Sequence, residues 1–294
     1  MLNVTDADVR RFAAYLTERE YSPATISKYT HDARALMDYA PEGIPDKAAL
    51  NGFRAYLAER GYCPASVNSM LGAVNLFLAF LGSDWRLKYV KVQRRTFLPA
   101  DKELSRAEYE RMIRAAEREG NARLALLVQT LCALGLRVSE LRAVTVESLR
   151  GGEATIANKG KLRTILIPDT LAKKLTEYCA ERGIVSGSVF VTRTGRPLDR
   201  SNVWKMLKKL AEAAKVLAKK VFPHNLRHLF ARTHYGKFKD IVRLADVLGH
   251  SSIDTTRIYT ARSGREERRQ LGQLRLVLYP HTVHYVVKSS MRTC

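Results

Sequence analysis

Few cysteines, no long apolar run and no excess of acid narrow the field before any motif is considered. Cys63, Cys132, Cys179 and Cys294 are scattered over 294 residues with no CxxC pair, which argues against a zinc site or a disulfide scaffold and fits a reducing cytoplasm. The stretch MLNVTDADVRRF lacks the basic-then-apolar character of a secretory signal, and no apolar run approaches the length needed to span a bilayer. Neither secretion nor membrane insertion is expected. Positive charge, by contrast, is abundant: 50 Lys+Arg against 29 Asp+Glu give a net charge of +21. The excess is uneven, with 27 bases against 10 acids in residues 161–294 and 23 against 19 in residues 1–160. A polyanion is the natural partner of such a chain. With 46% hydrophobic residues the protein can also build packed cores, and its length suits two domains.

An internal repeat organises the first hundred residues. AYLTEREYSPATI, from Ala14 to Ile26, recurs 41 positions later as AYLAERGYCPASV, from Ala55 to Val67. Each copy reads as helix, turn, helix. Phe12, Tyr15 and Leu16 make an apolar stripe at helical spacing, matched by Phe53, Tyr56 and Leu57, and Pro23 and Pro64 suit the first turn of the following helix. Two helical hairpins predict a compact four-helix domain over residues 1–84. Residues 85–103 follow as a linker, with five bases and no acid in its first eleven residues, WRLKYVKVQRR. Such side chains can follow a phosphate backbone.

A second module is expected over residues 104–279. Ser105 and Glu108 form a capping-box pattern that opens a helix to about Glu119. A mostly apolar helix spans about 122–134, Gly135 ends it, and Arg137 follows with Glu140 placed to brace its guanidinium. Residues 153–157 and 163–167 are β-prone and flank a polar turn, which predicts a hairpin. Helices are expected at about 169–182 and 201–219. Another starts at Phe222-Pro-His224 and puts His224 and Arg227 on one face near its N-terminus, where dipole and amides favour phosphate; His228 is expected to point elsewhere. Gly249 caps a helix ending at Leu248, His250 follows, and Ser251 with Asp254 look like the cap of the helix that carries Tyr259.

Two arginines, two or three histidines and a tyrosine are the groups needed to break a phosphodiester without a metal. Guanidiniums hold the non-bridging oxygens, imidazoles hold or move protons, and a phenol attacks phosphorus. The conjunction of GLRVSEL, HNLRH, LGH and Tyr259, nine residues beyond His250, resembles the tyrosine recombinase (integrase) family in order and spacing, and its wording is closest to the Xer-like members. The resemblance covers roughly residues 1–275.

That resemblance implies a mainly α fold with a small β-sheet, made of an N-terminal four-helix core-binding domain that clamps one face of a DNA duplex and an α+β catalytic domain. It implies Arg137, Lys159, His224, Arg227, His250 and Tyr259 as catalytic residues, with no cofactor and no metal. His224 serves as base for the phenol, whose ordinary pKa is about 10. Arg137 and Arg227 stabilise the phosphorane, and His250 adds a hydrogen bond. The lysine, which protonates the leaving 5′ oxygen, sits in family members on a G-K-G-x-K-x-R turn. Here Asn158 replaces the first glycine and the turn is one residue shorter, so Lys159 and Lys161 both remain candidates. The product is a 3′-phosphotyrosine, later attacked by a 5′ hydroxyl of a partner strand, and double-stranded DNA and a homotetramer on two DNA sites are the implied partners.

Two other readings share these residues. A type IB topoisomerase relaxes supercoils with almost the same active site, and a catalytically silent DNA-binding regulator would retain the fold. Leu271, Leu274 and Leu278 form an apolar stripe on a basic segment, which the family suggests is donated to a neighbouring protomer. Residues 280–294 match no interpretable pattern.

Overall fold

The computed structural model describes residues 2–92, 97–98, 103–158, 161–250, 252–259, 262–274 and 276–277. The chain divides into two compact units, Met1–Arg94 and Arg95–Cys294.

The first unit is the expected pair of hairpins: α1 (Asp6–Glu18), α2 (Pro23–Tyr39), α3 (Lys47–Glu59) and α4 (Pro64–Phe80). All eight helix boundaries repeat at the 41-residue offset seen in the sequence. Thr5, Ser22 and Asp46 cap the first three helices through side-chain acceptors, and Pro23 and Pro64 stand in first turns. The repeat extends to individual ring contacts. Tyr15 meets Phe80 at 5.0 Å as Tyr56 meets Tyr39 at 5.1 Å, and Arg19 lies over Tyr15 at 4.5 Å as Arg60 lies over Tyr56 at 4.6 Å. The two halves also exchange core residues: Leu36 of α2 packs into the α3–α4 cluster, and its counterpart Phe77 of α4 packs into the α1–α2 cluster. Neither hairpin has a complete core without the other, so the domain stands as one cooperative unit. Residues 85–92, read from sequence as linker, belong to this unit, where Leu87 is buried.

The second unit opens with the two-residue strand β1 (Phe97–Leu98) and α5 (Arg106–Arg118), whose capping box is complete: Glu108 N–H donates to Ser105 Oγ at 3.2 Å and Ser105 N–H donates to Glu108 Oε2 at 2.8 Å. The apolar α6 (Ala122–Ala133) is the centre of the core, as its composition requires, and contributes Leu124, Leu127, Val128 and Leu131. A 3-10 turn (Val138–Ala143) and the short α7 (Val146–Gly151) lead to an antiparallel hairpin, β2 (Glu153–Asn158) with β3 (Lys161–Leu166), in which Asn158 pairs with Lys161. Then come α8 (Asp169–Glu181), α9 (Arg200–Ala213), α10 (Pro223–Phe238), α11 (Ile241–Leu248), α12 (Ile253–Thr256) and a 3-10 turn, Arg257–Tyr259. A two-residue parallel pairing of Phe97–Leu98 with Arg262–Ser263 precedes α13 (Gly264–Gln273).

One helix end differs from expectation. The helix expected to run to 219 stops at Ala213, because Lys215 takes a left-handed conformation with φ 53° and a separate 3-10 turn covers Ala218–Lys220. Lys239, with φ 57°, closes α10 in the same way. Lysine here occupies the position that glycine usually marks, and so no sequence signal announced the stop. The cap of α12 is also shifted by one: Ser252 accepts from Asp254 N–H. Ser251 lies outside the described residues.

Candidate active site

The site is assembled around Glu140, which is 3% exposed. Its carboxylate accepts from Arg137 twice, from the backbone N–H at 2.8 Å and from Nη1 at 2.8 Å, and from Arg163 Nη2 at 2.9 Å. Arg227 Nη1 stands 3.8 Å from the same carboxylate. One carboxylate thus orders three guanidiniums, which removes much of the freedom that two long side chains would otherwise lose on binding a phosphate. Burial pushes the Glu140 carboxyl up, but the Arg137 hydrogen bonds and the charges of Arg163 and Arg137 outweigh it and hold the group below the usual range.

Arg227 is 1% exposed, and its placement answers what an arginine is doing in a core. Nη1 donates to Gly135 O at 2.8 Å, and Nη2 donates to Leu248 O at 2.7 Å and meets His250 Nε2 at 2.9 Å. Its Nε–H is buried without a partner among the described residues, an unmet donor of the kind a ligand oxygen satisfies. Burial and then the charge of Arg137 lower its pKa to about 10, which leaves it charged at neutral pH. Gly135 is indispensable to this arrangement. It has φ 59°, and a Cβ there would stand 2.8 Å from Phe230 Cε1.

The histidines fall into two roles. His224 is on the exposed face of α10, and partial burial, then Arg227 and Arg137, hold its pKa below the usual histidine value. It is therefore neutral near pH 7 and able to take a proton. His250 has both ring nitrogens engaged, Nε2 with Arg227 and Nδ1 with Thr256 Oγ1 at 2.8 Å. An arginine can only donate, so Nε2 is the acceptor and Nδ1 carries the proton. In this arrangement the expected phosphate donor instead holds Arg227. Burial, then Arg227, bring its pKa to about 4.

Tyr259 is 3% exposed and packs with Ala231, Leu244 and Leu248. His250 stacks on its ring at 6.1 Å and His228 meets it edge-on at 4.8 Å, while His228 in turn meets His224 at 4.7 Å. His228 is thus a contact of the tyrosine and does not point away from the site as expected. The reason is the turn of α10: one residue beyond Arg227 faces the crevice against the Arg257–Tyr259 turn. Burial, then His224, lower its pKa to about 4.

Five of the six sequence candidates come together: Arg137, His224, Arg227, His250 and Tyr259. Lys159 lies outside the described residues. Arg163 and Thr256 are additions. Arg163 has a legible signal, since Arg163 and Ile165 share the inward face of β3, continued by Ile167 just beyond it, and an arginine there needs a partner. It also explains Gly249, whose φ is 64° and where a Cβ would collide with the Arg163 guanidinium, 2.7 Å from Cδ. Thr256 has no signal beyond its place in a helix.

The chain matches the phage integrase family over residues 102–266 and the N-terminal SAM-like domain of phage integrases over residues 9–84. It is 33% identical to the tyrosine recombinase XerA of Thermococcus kodakarensis over 262 residues, which covers 86% of this chain and 89% of that one. It is 31% identical to XerA of Pyrococcus furiosus over 269 residues, covering 86% and 88%. The crystal structure of a XerA recombinase aligns at 26% identity with a TM-score of 0.52 over 94% of this chain and 100% of that one. XerH in a post-cleavage complex with a palindromic difH substrate shares the fold, with a TM-score of 0.72 at 19% identity over 93% and 85%. This chain belongs to the phage integrase family. Within it, the protein is a site-specific tyrosine recombinase of the Xer type.

Proposed function

We propose that Tyr259 attacks a phosphodiester of duplex DNA to give a 3′-phosphotyrosine and a free 5′ hydroxyl, and that the reverse attack by a partner strand's hydroxyl rejoins the exchanged strands. The observation that carries this reading is the shared Glu140 carboxylate, which orders Arg137 beside a fully buried Arg227 with an unmet Nε donor. Two guanidiniums supply the charge that a pentacoordinate phosphorane demands. His224, neutral and exposed on the same face, is the group to receive the phenolic proton. His250 holds Arg227 by accepting from it, and His228 fixes the tyrosine ring. A lysine of the 158–161 turn, Lys159 or its neighbour Lys161, protonates the leaving 5′ oxygen. The bond energy stays in the covalent intermediate, so neither ATP nor a metal takes part.

The same reading places the protein in the cytoplasm, acting as four copies on two DNA sites. Leu271 near the end of α13, and Leu274, Leu276 and Val277 just beyond it, are exposed, an apolar strip that a neighbouring copy would cover. Leu278, the third member of the expected stripe, lies outside the described residues.

The test is capture of the adduct. Incubated with cognate duplex in EDTA, the protein should form a denaturant-resistant complex whose DNA-linked peptide contains Tyr259, and Tyr259→Phe should bind DNA without forming it. An adduct surviving in Tyr259→Phe, or cleavage that needs added magnesium, overturns the proposal.

A further inference from the structure

The positive charge of the first unit is not where a four-helix DNA-binding domain would be expected to carry it. Residues 1–84 hold eight Lys+Arg against ten Asp+Glu, whereas residues 85–92 hold Arg86, Lys88 and Lys91 and no acid. These three cations are exposed, while Leu87 between them is buried and Val90 is half-buried. The segment therefore turns every third residue toward the helices and its bases toward solvent.

Two asparagines hold it there. Asn75 on α4 donates from Nδ2 to Leu87 O at 3.0 Å and accepts from Leu87 N–H at 2.8 Å. Two turns earlier on the same face of α4, Asn68 donates to Val90 O at 2.9 Å and accepts from Val90 N–H at 2.7 Å. The spacings agree. Seven residues of helix rise about 10.5 Å, and three residues of extended chain cover about 10 Å, so both amides bond in one register. Gly72 lies between the two asparagines and leaves space for Tyr89, whose hydroxyl is 3.5 Å from where a Cβ would stand. Arg86 is fixed in turn, its Nη1 donating to Ser83 O at 2.6 Å and Trp85 O at 2.7 Å. The counterparts of Asn68 and Asn75 in the first repeat are Ser27 and Arg34. The amide pair is thus not part of the repeated helical design. It serves the ribbon.

We propose that residues 86–91 are a pre-set phosphate track that binds the backbone of duplex DNA, with Asn68 and Asn75 as the positioning residues that hold it on α4. A loose basic segment would lose its conformational freedom on binding, whereas a segment bonded twice to a helix has already lost it. The cations contribute through counterion release, and the asparagines contribute by keeping those cations in place. This rests on the reading of the chain as an enzyme acting on DNA.

The experiment uses the full chain with a fluorescent duplex, and reads the binding constant against salt concentration alongside adduct formation. Neutralising the ribbon with Arg86→Gln, Lys88→Gln and Lys91→Gln should lower the slope of log K against log salt by about 2 to 3. Asn68→Leu with Asn75→Leu keeps every charge, yet should free the Leu87 and Val90 amides to hydrogen exchange and weaken binding at 0.1 M salt by about tenfold or more. An unchanged slope in the neutralised variant overturns the track. Exchange-freed amides with wild-type affinity overturn the positioning role. If the asparagine variant does not fold, the neutralised variant, altered only at exposed side chains, still decides whether the track exists. A covalent adduct with an unaltered slope sinks the ribbon alone, and absence of both adduct and DNA binding sinks the recombinase chemistry with it.

Discussion

Arg227 and His250 are coupled through a single shared proton position: Nη2 donates to Nε2 at 2.9 Å, and this works only while Thr256 Oγ1, 2.8 Å from Nδ1, keeps the ring's proton on the far nitrogen. Thr256 is fully buried, so no water replaces its hydroxyl if it is removed. Thr256→Val should leave the shape almost unchanged while costing about 1–3 kcal/mol in an unmet buried donor. The ring is then free to take the other tautomer, which sets N–H against N–H at Arg227. We expect slower adduct formation with DNA affinity nearly unchanged, and a shift of the His250 ring nitrogen resonances. Wild-type cleavage in Thr256→Val would mean that the His250 tautomer is unimportant.

Acid should destabilise this site in two steps of the same sign. His228 and His250 have folded pKa values of about 4, below the ordinary 6.5, so the unfolded chain binds more protons between those values and stability falls as pH drops from about 6.5 to 4. Each contributes a slope of up to about 1.4 kcal/mol per pH unit. Glu140, whose folded pKa is depressed, adds stability that is present above the ordinary carboxylate value and lost as pH falls through the folded one. Thermal unfolding followed from pH 8 to 2 should show both. His228→Phe should flatten the first decline and Glu140→Gln the second. Glu140→Gln should also slow adduct formation about tenfold or more, because Arg137 and Arg163 then share a neutral acceptor. Parallel pH profiles in all three proteins would remove these groups from the account.

Much of this was readable from residue spacing. The 41-residue repeat predicts four helices because each helix start has a local cause, a capping side chain or a first-turn proline. The capping box at Ser105 and the Arg137–Glu140 pair are likewise interactions between residues three apart. What escaped the sequence is long-range. Arg163 meets Glu140 across 23 residues, and Gly249 is small because Arg163 lies against it, which a reading of Gly249 as a helix cap alone does not reveal. His228 was misplaced because its neighbour, Tyr259, arrives from a separate turn 31 residues on. Left-handed lysines at 215 and 239 ended helices where propensity favoured continuation.

The leaving-group lysine can be assigned by chemistry. A 5′-bridging sulfur needs no proton to depart, so a variant that lacks only the general acid should be slow on a normal phosphodiester and largely restored on the thio substrate. We expect this pattern from Lys159→Ala. An identical pattern from Lys161→Ala, with Lys159→Ala active on both substrates, would transfer the role to the neighbour. A defect that the thio substrate leaves in place, in both variants, would show that neither acts on the leaving oxygen.

The exposed strip at the end of the described chain separates strand exchange from simple relaxation. Ending the chain after Ser263 keeps the pairing of Arg262–Ser263 with Phe97–Leu98 and removes Leu271, Leu274, Leu276 and Val277, none of which is buried among the described residues. If those side chains dock on a neighbouring copy, the truncated protein should bind a single site with little loss and still form the Tyr259 adduct. Complexes that join two duplexes should disappear, along with strand exchange between them, because pairing two sites depends on contacts between protomers. Gel-resolved assemblies and recombinant products from full-length and truncated protein make the comparison. A full-length protein that relaxes supercoils as a monomer, never joins two sites and is indifferent to the truncation would contradict the assembly and show that the same active site works alone.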